Sequence, residues 1–238
     1  STTSTDFIDI EFCKKKKIKV FSLENEQKFL SSISSTAEHT FGLILLITRK
    51  YISAINSVEK STFNRRPFGG YKMLSKMCLG IIGYGRLGKL VKKIALGFSM
   101  KIISCDIKDK NYKKKLKKIW ECSDIVSLHI PSKENKNFFS KKIFKDIKKP
   151  FYLINTSRGD VVDEKFILRL LKMKKMYGYA TDVLNKEFNA NFKIKKNLIF
   201  KNRKKHNIVI TPHIGGSTID AWQLTENRVI KKLIKNFK

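Results

Sequence analysis

Proline is scarce in this chain, at 4 in 238 residues, and so is cysteine, also at 4. With so few prolines there is no proline-rich linker to mark a domain boundary, and boundaries must be read from changes in hydrophobic period. The cysteines (Cys13, Cys78, Cys105 and Cys122) form no CxxC pair, which removes the usual zinc and redox spacings. Cys78 and Cys105 lie in apolar runs, and reduced structural thiols are expected. Long apolar runs are missing too: Phe41–Ile47 is the longest, far short of the roughly 20 residues that span a bilayer. No signal-peptide pattern opens the chain, so a soluble, cytoplasmic protein without a membrane partner is expected.

Acidic residues are the last shortage. Against 51 Lys+Arg stand only 20 Asp+Glu, a formal net charge of +31. Such an excess raises an anionic polymer as a partner. The lysines, however, fall in runs along the whole chain (Lys14–Lys17, Lys113–Lys118, Lys172–Lys175, Lys201–Lys205), without the glycine-aromatic interleaving of RNA-binding motifs and without a zinc-finger pattern. Isoleucine and asparagine, which share AT-rich codons with lysine, are abundant as well. The charge is therefore read as solvated lysine faces, nucleic acid is not expected, and the positive field is left to attract small anions.

What is present belongs to a globular protein: 42% hydrophobic and 11% aromatic residues suffice for one or two cores. Residues 1–30 carry one strand signal, Ile18–Phe21, behind a lysine run, and are too few to enclose a core of their own. They read as the end of a lobe. Ser35, Thr36 and Glu38 resemble a capping box that leads into one long helix, Phe41–Val58. From Cys78 the period alternates. Strands are expected at Cys78–Ile82, Lys101–Cys105, Ile125–His129, Phe151–Asn155, Tyr177–Val183 and Ile208–Ile210. Helices are expected at Leu87–Phe98, in the lysine-rich stretch ending near Trp120, near Ser140–Ile147, at Asp163–Lys172 and at Ser217–Phe237. Short apolar strands alternating with helices imply an α/β fold with a doubly wound parallel sheet.

One motif has chemical content by its context. Gly83, Gly85 and Gly88 form GxGxxG directly after a buried strand and at the start of a helix that also holds Arg86 and Leu87. Gly83 would permit the tight turn, Gly85 the close approach of backbone to a pyrophosphate, and Gly88 close helix-to-strand packing. Asp106 ends the next strand eighteen positions after Gly88, where an acidic group binds the adenosine ribose and disfavours a 2′-phosphate. NAD is the expected cofactor, with Lys108 and Lys110 close enough to soften the preference over NADP.

From Ser35 onward the chain resembles the D-isomer-specific 2-hydroxyacid dehydrogenases. The resemblance is carried by Ser35–Thr40, Gly83–Gly88, Ser123–Pro131, Asn155–Gly159, Thr181–Val183 and Thr211–Ser217, in the family's order. The ending Gly215–Thr218 is most similar to the phosphoglycerate branch. The resemblance implies a Rossmann-type cofactor domain over residues 31–212. It also implies a remnant of a second, flavodoxin-like substrate domain in residues 1–30, and a hinge and returning helix in 213–238. Ser4–Ile10 resembles a late loop of that substrate lobe, so an N-terminal truncation is expected.

The same resemblance assigns roles. Arg158 is the residue expected to grip the substrate carboxylate, for which a planar, bidentate guanidinium is suited. His213, in Thr-Pro-His, is the expected acid/base, and Glu187, twenty-nine positions after Arg158, its acidic partner. Phe188 stands where the family usually has proline, and a lysine- and asparagine-rich stretch follows, so the chain departs from the family's pattern directly after Glu187. Asp182, Thr156, Ser157 and Gly215 are expected to line the nicotinamide, with Asp182 accepting from its amide. His129 is read as structural or cofactor-lining. The implied substrate is a small anionic 2-hydroxy acid, with 3-phosphoglycerate and serine biosynthesis foremost, and the implied assembly a homodimer through the long helix. A cofactor-binding regulatory protein of the same fold remains the alternative.

Overall fold

Six short apolar runs of the sequence become six parallel strands. The computed structural model describes residue 5 and residues 8–237, so Ser4, Asp6 and Phe7 of the Ser4–Ile10 resemblance lie outside the described residues. The chain opens with α1 (Ile10–Lys15), α2 (Gln27–Leu30), α3 (Ser35–Thr48) and α4 (Tyr51–Glu59). Then β1 (Cys78–Ile82), α5 (Arg86–Gly97), β2 (Lys101–Cys105), α6 (Tyr112–Cys122) and β3 (Ile125–Leu128) follow one another. The second half holds β4 (Phe151–Asn155), α7 (Glu164–Lys172), β5 (Met176–Thr181), α8 (Leu198–Asn202), β6 (Ile208–Ile210) and α9 (Ile219–Phe237).

All neighbouring strands pair in parallel, in the order β2-β1-β3-β4-β5-β6. The order reverses at β1, because β2 lies on one side of it and β3 on the other. Ligands of open α/β sheets bind at such a switch point, outside the carboxyl ends of the strands. Alternating residues feed two cores. Leu79 and Ile81 of β1 join Phe41, Ile44 and Ile47 of α3 on one face, while Ile82, Val126 and Leu153 join Trp120, Phe139 and Phe166 on the other.

Four expectations change. The capping residue lies one position earlier than expected, at Ser34, whose hydroxyl meets Glu38; Ser35 is already helical and buried. The long helix Phe41–Val58 is two helices, since Lys50 takes a left-handed turn (φ 49°) between α3 and α4. A single residue in that conformation leaves the hydrophobic period intact, so periodicity cannot register it. The Ile18–Phe21 strand is absent, because no neighbouring strand offers it a ladder. The Ser140–Ile147 helix is a 3-10 segment at Lys141–Asp146. The stretch Gln27–Thr48 is long and apolar enough to cross a membrane by composition, yet it divides at Ser31–Ser34 and its longer part, α3, packs against the sheet.

The turn after β1 is tightly packed on its inner side. Gly83 has φ 92°, and a Cβ there would lie 2.4 Å from the carbonyl oxygen of His129. At Gly88 a Cβ would lie 2.1 Å from the carbonyl oxygen of Gly83, whereas at Gly85 it would meet nothing within 4 Å. Gly88→Ala is expected to cost about 1–3 kcal/mol or more of stability. Gly85→Ala should leave the melting temperature near that of the parent, and thermal denaturation of both variants checks the contrast.

His129, at the end of β3, donates its backbone N–H to Ile82, and its Nε2 lies 2.8 Å from Ser127 Oγ. Its Nδ1 is shut off from solvent, with no hydrogen-bond partner among the described residues. Burial pushes the imidazole down to about 4. The unfolded chain binds this proton near the ordinary value of about 6.5, so neutral His129 contributes stability that is full above that pH and is lost as pH falls toward 4. His129→Gln should flatten the stability-versus-pH curve between those limits in denaturant titrations.

Candidate functional site

The features expected to bind and react gather at the carboxyl ends of β1, β2, β4, β5 and β6. At the first of these, the backbone N–H of Tyr84 donates to Asp106 Oδ2 (2.8 Å), which ties the glycine turn to the end of β2. The other Asp106 oxygen accepts from Lys108 N (3.1 Å). The first turn of α5 presents the N–H groups of Arg86 and Leu87 without partners of their own among the described residues, and open space over Gly85 lets a phosphate reach them. These residues fit a dinucleotide: the inner faces of Gly83 and Gly88 are filled by backbone, and the outer face of the turn is clear. Arg86 differs from expectation. Its guanidinium points back to the carbonyls of Leu30 (3.1 Å) and Ile33 (3.4 Å), so only its main chain is left to face a cofactor.

After β4, Asn155 folds the next turn by itself. Its Oδ1 accepts from Ser157 N (3.1 Å) and Ser157 Oγ (2.7 Å), and its Nδ2 donates to the Arg158 carbonyl (2.9 Å). Arg158 in turn donates to the Ser157 carbonyl (2.8 Å). Gly159 is then pressed onto the loop after β5: a Cβ there would lie 2.1 Å from the carbonyl carbon of Leu184. Leu184 N donates to Glu187 Oε2 (3.1 Å), and Glu187 Oε1 meets His213 Nδ1 at 2.8 Å. The Arg158 turn, Glu187 and His213 therefore belong to one cluster of loops, although their strands are separate. Phe188 does not displace the carboxylate; its ring packs against the His213 imidazole, with centroids 5.3 Å apart.

Asp182 organises the loop that follows β6. Its Oδ1 accepts from Thr211 Oγ1 (2.6 Å) and Ile214 N (2.9 Å), and its Oδ2 from Gly215 N (2.8 Å). Its backbone carbonyl accepts from His213 N (2.9 Å). Burial would raise this carboxyl, but hydrogen bonds from His39, Thr211, Gly215 and Ile214 outweigh it and hold the group below the usual carboxylate range. His213 sits within this frame at φ 54°, a region that non-glycine residues enter at some cost. Thr156 is buried, and its hydroxyl lies 2.9 Å from Thr40 Oγ1.

Two residues of the site escaped sequence reasoning as individuals, His39 and Thr40 of α3. The available signal was polar residues, Thr36, His39 and Thr40, just before the apolar run Phe41–Ile47 of the same helix. A cavity of about 1000 Å³ adjoins the Glu187–His213 pair, bordered also by Leu46, Phe188, Phe192 and Ile210; the glycine turn does not border it.

The chain matches known proteins over almost its whole length. The sequence model described as "D-isomer specific 2-hydroxyacid dehydrogenase, NAD binding domain" covers residues 41–215. The chain is 33% identical to D-3-phosphoglycerate dehydrogenase of Haemophilus influenzae, over 97% of this chain and 56% of that protein. It is 33% identical to glyoxylate reductase of Thermococcus litoralis, over 96% of this chain and 70% of the relative. The crystal structure of D-lactate dehydrogenase from Aquifex aeolicus, complexed with NAD and lactic acid, superposes with a TM-score of 0.80 at 31% identity, covering 99% of this chain and 74% of that one. The chain thus spans little more than half the length of the Haemophilus relative. The matched residues run from the core helix α3 to the loop that holds His213, and the protein belongs to the D-isomer-specific 2-hydroxyacid dehydrogenases, of which it carries the NAD-binding domain.

Proposed function

We propose that the protein is an oxidoreductase that moves a hydride between nicotinamide and a small D-2-hydroxy acid or its 2-keto acid, with 3-phosphoglycerate the first substrate to test. The observation that carries the reading is the contact between His213 Nδ1 and Glu187 Oε1 at 2.8 Å. A histidine held this way has one nitrogen engaged and the other, Nε2, left to exchange a proton with substrate. NAD, when bound, supplies the hydride acceptor or donor. His213 takes the hydroxyl proton as a hydroxy acid is oxidised and returns it in the reverse direction, while Glu187, in contact with Nδ1, fixes the orientation of the ring. Arg158, on the neighbouring turn, holds the substrate carboxylate through its planar guanidinium and polarises the adjacent carbon–oxygen bond. Support for the phosphoglycerate substrate comes from the Haemophilus relative, while the glyoxylate reductase keeps smaller acids in view.

The reading extends to the rest of the chain. Residues 1–30 and α9 are proposed as parts of a substrate lobe: Glu26 pairs with Arg228 and, at 3.1 Å, with Lys232, which clips the two segments together. A homodimer is proposed through α4, a helix with no buried residue that exposes Tyr51, Ile52, Ile55 and Val58.

Losses in the full-length protein should differ in kind. His213→Ala should depress turnover by roughly 10²–10⁴-fold with little change in NAD affinity. Arg158→Ala should raise KM and lower kcat together, since one side chain both binds and polarises. Glu187→Gln should stay folded and lower kcat with NADH affinity retained, because the His213 ring loses the carboxylate that orients it. Steady-state kinetics with the D-hydroxy acids checks all three, and near-full activity of His213→Ala would move the protein to the regulatory reading.

Cofactor choice is a separate outcome. The Asp106 carboxylate would meet the 2′-phosphate of NADP with like charge, so NADH should bind more tightly than NADPH by on the order of tenfold or more. Fluorescence titration of both cofactors decides it. Tighter NADPH binding would transfer the recognition role to Lys108 or Lys110.

A further inference from the structure

We propose that His39 and Thr40, consecutive residues of α3, are positioning residues that bolt the two reactive loops to the core of the cofactor domain. The turns of α3 that follow are apolar: Phe41, Leu43, Ile44 and Ile47 are all buried. Polar groups beside such a core must find partners, and each of these two reaches one outside the helix.

Counting protons fixes the direction of each bond. A threonine hydroxyl has one hydrogen to give. Thr40 gives its own to the Thr36 carbonyl (2.8 Å), so the 2.9 Å contact with Thr156 runs from Thr156 to Thr40. Thr156 is thereby held two residues before Arg158. Thr211 gives its hydrogen to Asp182 Oδ1 (2.6 Å), so its oxygen accepts from His39 Nε2 at 2.9 Å. That nitrogen must carry a hydrogen, and it also lies 3.3 Å from Asp182 Oδ1. The line His39, Thr211, Asp182 then continues into the Ile214 and Gly215 amides, which follow the strained His213 directly. The loop also rests on the helix sterically: a Cβ on Gly215 would lie 3.4 Å from His39 Cδ2 and 3.4 Å from Thr36 Cγ2. One helix turn thus reaches both the Arg158 turn and the His213 loop.

The proposal rests on the dehydrogenase reading for its effect on turnover but not for its effect on structure, and the experiment separates the two. His39→Gln keeps an amide nitrogen at the reach of Nε2, whereas His39→Asn is equally polar but too short to meet Thr211. Amide hydrogen exchange and kinetics on the full-length protein are compared for both. In His39→Asn, exchange at Ile214 and Gly215 should accelerate by roughly tenfold or more while the Gly83–Gly88 turn is unchanged, and kcat should fall by about the same factor with NADH affinity retained. His39→Gln should restore both. Thr40→Val should lower kcat without loosening Ile214 and Gly215, because its bolt holds the other loop. Equal behaviour of the Gln and Asn variants in exchange and in kcat overturns the proposal. Faster exchange in His39→Asn, alongside an active His213→Ala, would keep the bolt and refute the acid–base reading instead.

Discussion

The site depends on one buried carboxylate. A lone ionised acid inside a protein is costly, and Asp182 is only 3% exposed. Its charge is offset by the Thr211 hydroxyl and the amides of Ile214 and Gly215, with His39 alongside. Those donors come from a single loop and from the core helix beside it. The need to satisfy one charge therefore dictates the path of the chain from Thr211 to Gly215, and His213 lies in the middle of that path at a backbone angle it would not choose in isolation.

The rest of the chemistry builds outward from that loop. Glu187 reaches His213 because its own oxygen is held by Leu184 N, and Leu184 is backed by Gly159, where no side chain would fit. The same Gly159 follows Arg158. The arginine, the carboxylate and the histidine are thus registered to one another through backbone contacts. The glycine turn has a register of its own, the link from Tyr84 N to Asp106 at the switch point of the sheet. Both registers lie on one side of the sheet because the parallel order β2-β1-β3-β4-β5-β6 brings every carboxyl end to one edge.

Much of this was legible in the sequence. All six strands were, because each is a short apolar run between helical periods, and a parallel sheet buried on both faces needs such runs. The glycine turn was legible because Gly83 and Gly88 stand where backbone leaves no room for a Cβ. Arg158, Glu187 and His213 were singled out by resemblance, and the structure brings their loops together. Less visible were features set by one residue or by tertiary partners. The kink at Lys50 does not disturb the apolar period, and the Ile18–Phe21 signal has strand-like composition but no strand to pair with. Phe188 argued against Glu187 from local sequence, while the structure uses its ring as a wall for the imidazole. Arg86 sits within the fingerprint, yet it turns away to the carbonyls of Leu30 and Ile33, which no fingerprint encodes.

The central claim is that His213 is an acid–base group held by Glu187. Its most direct measurement is nitrogen-edited NMR of the histidine rings in the NAD-bound protein. The account predicts a slowly exchanging His213 Nδ1–H resonance, shifted downfield by donation to a carboxylate, that is lost in Glu187→Gln while NAD stays bound. A His213 ring whose Nδ1–H signal is missing, or is the same with and without the Glu187 carboxylate, would contradict it.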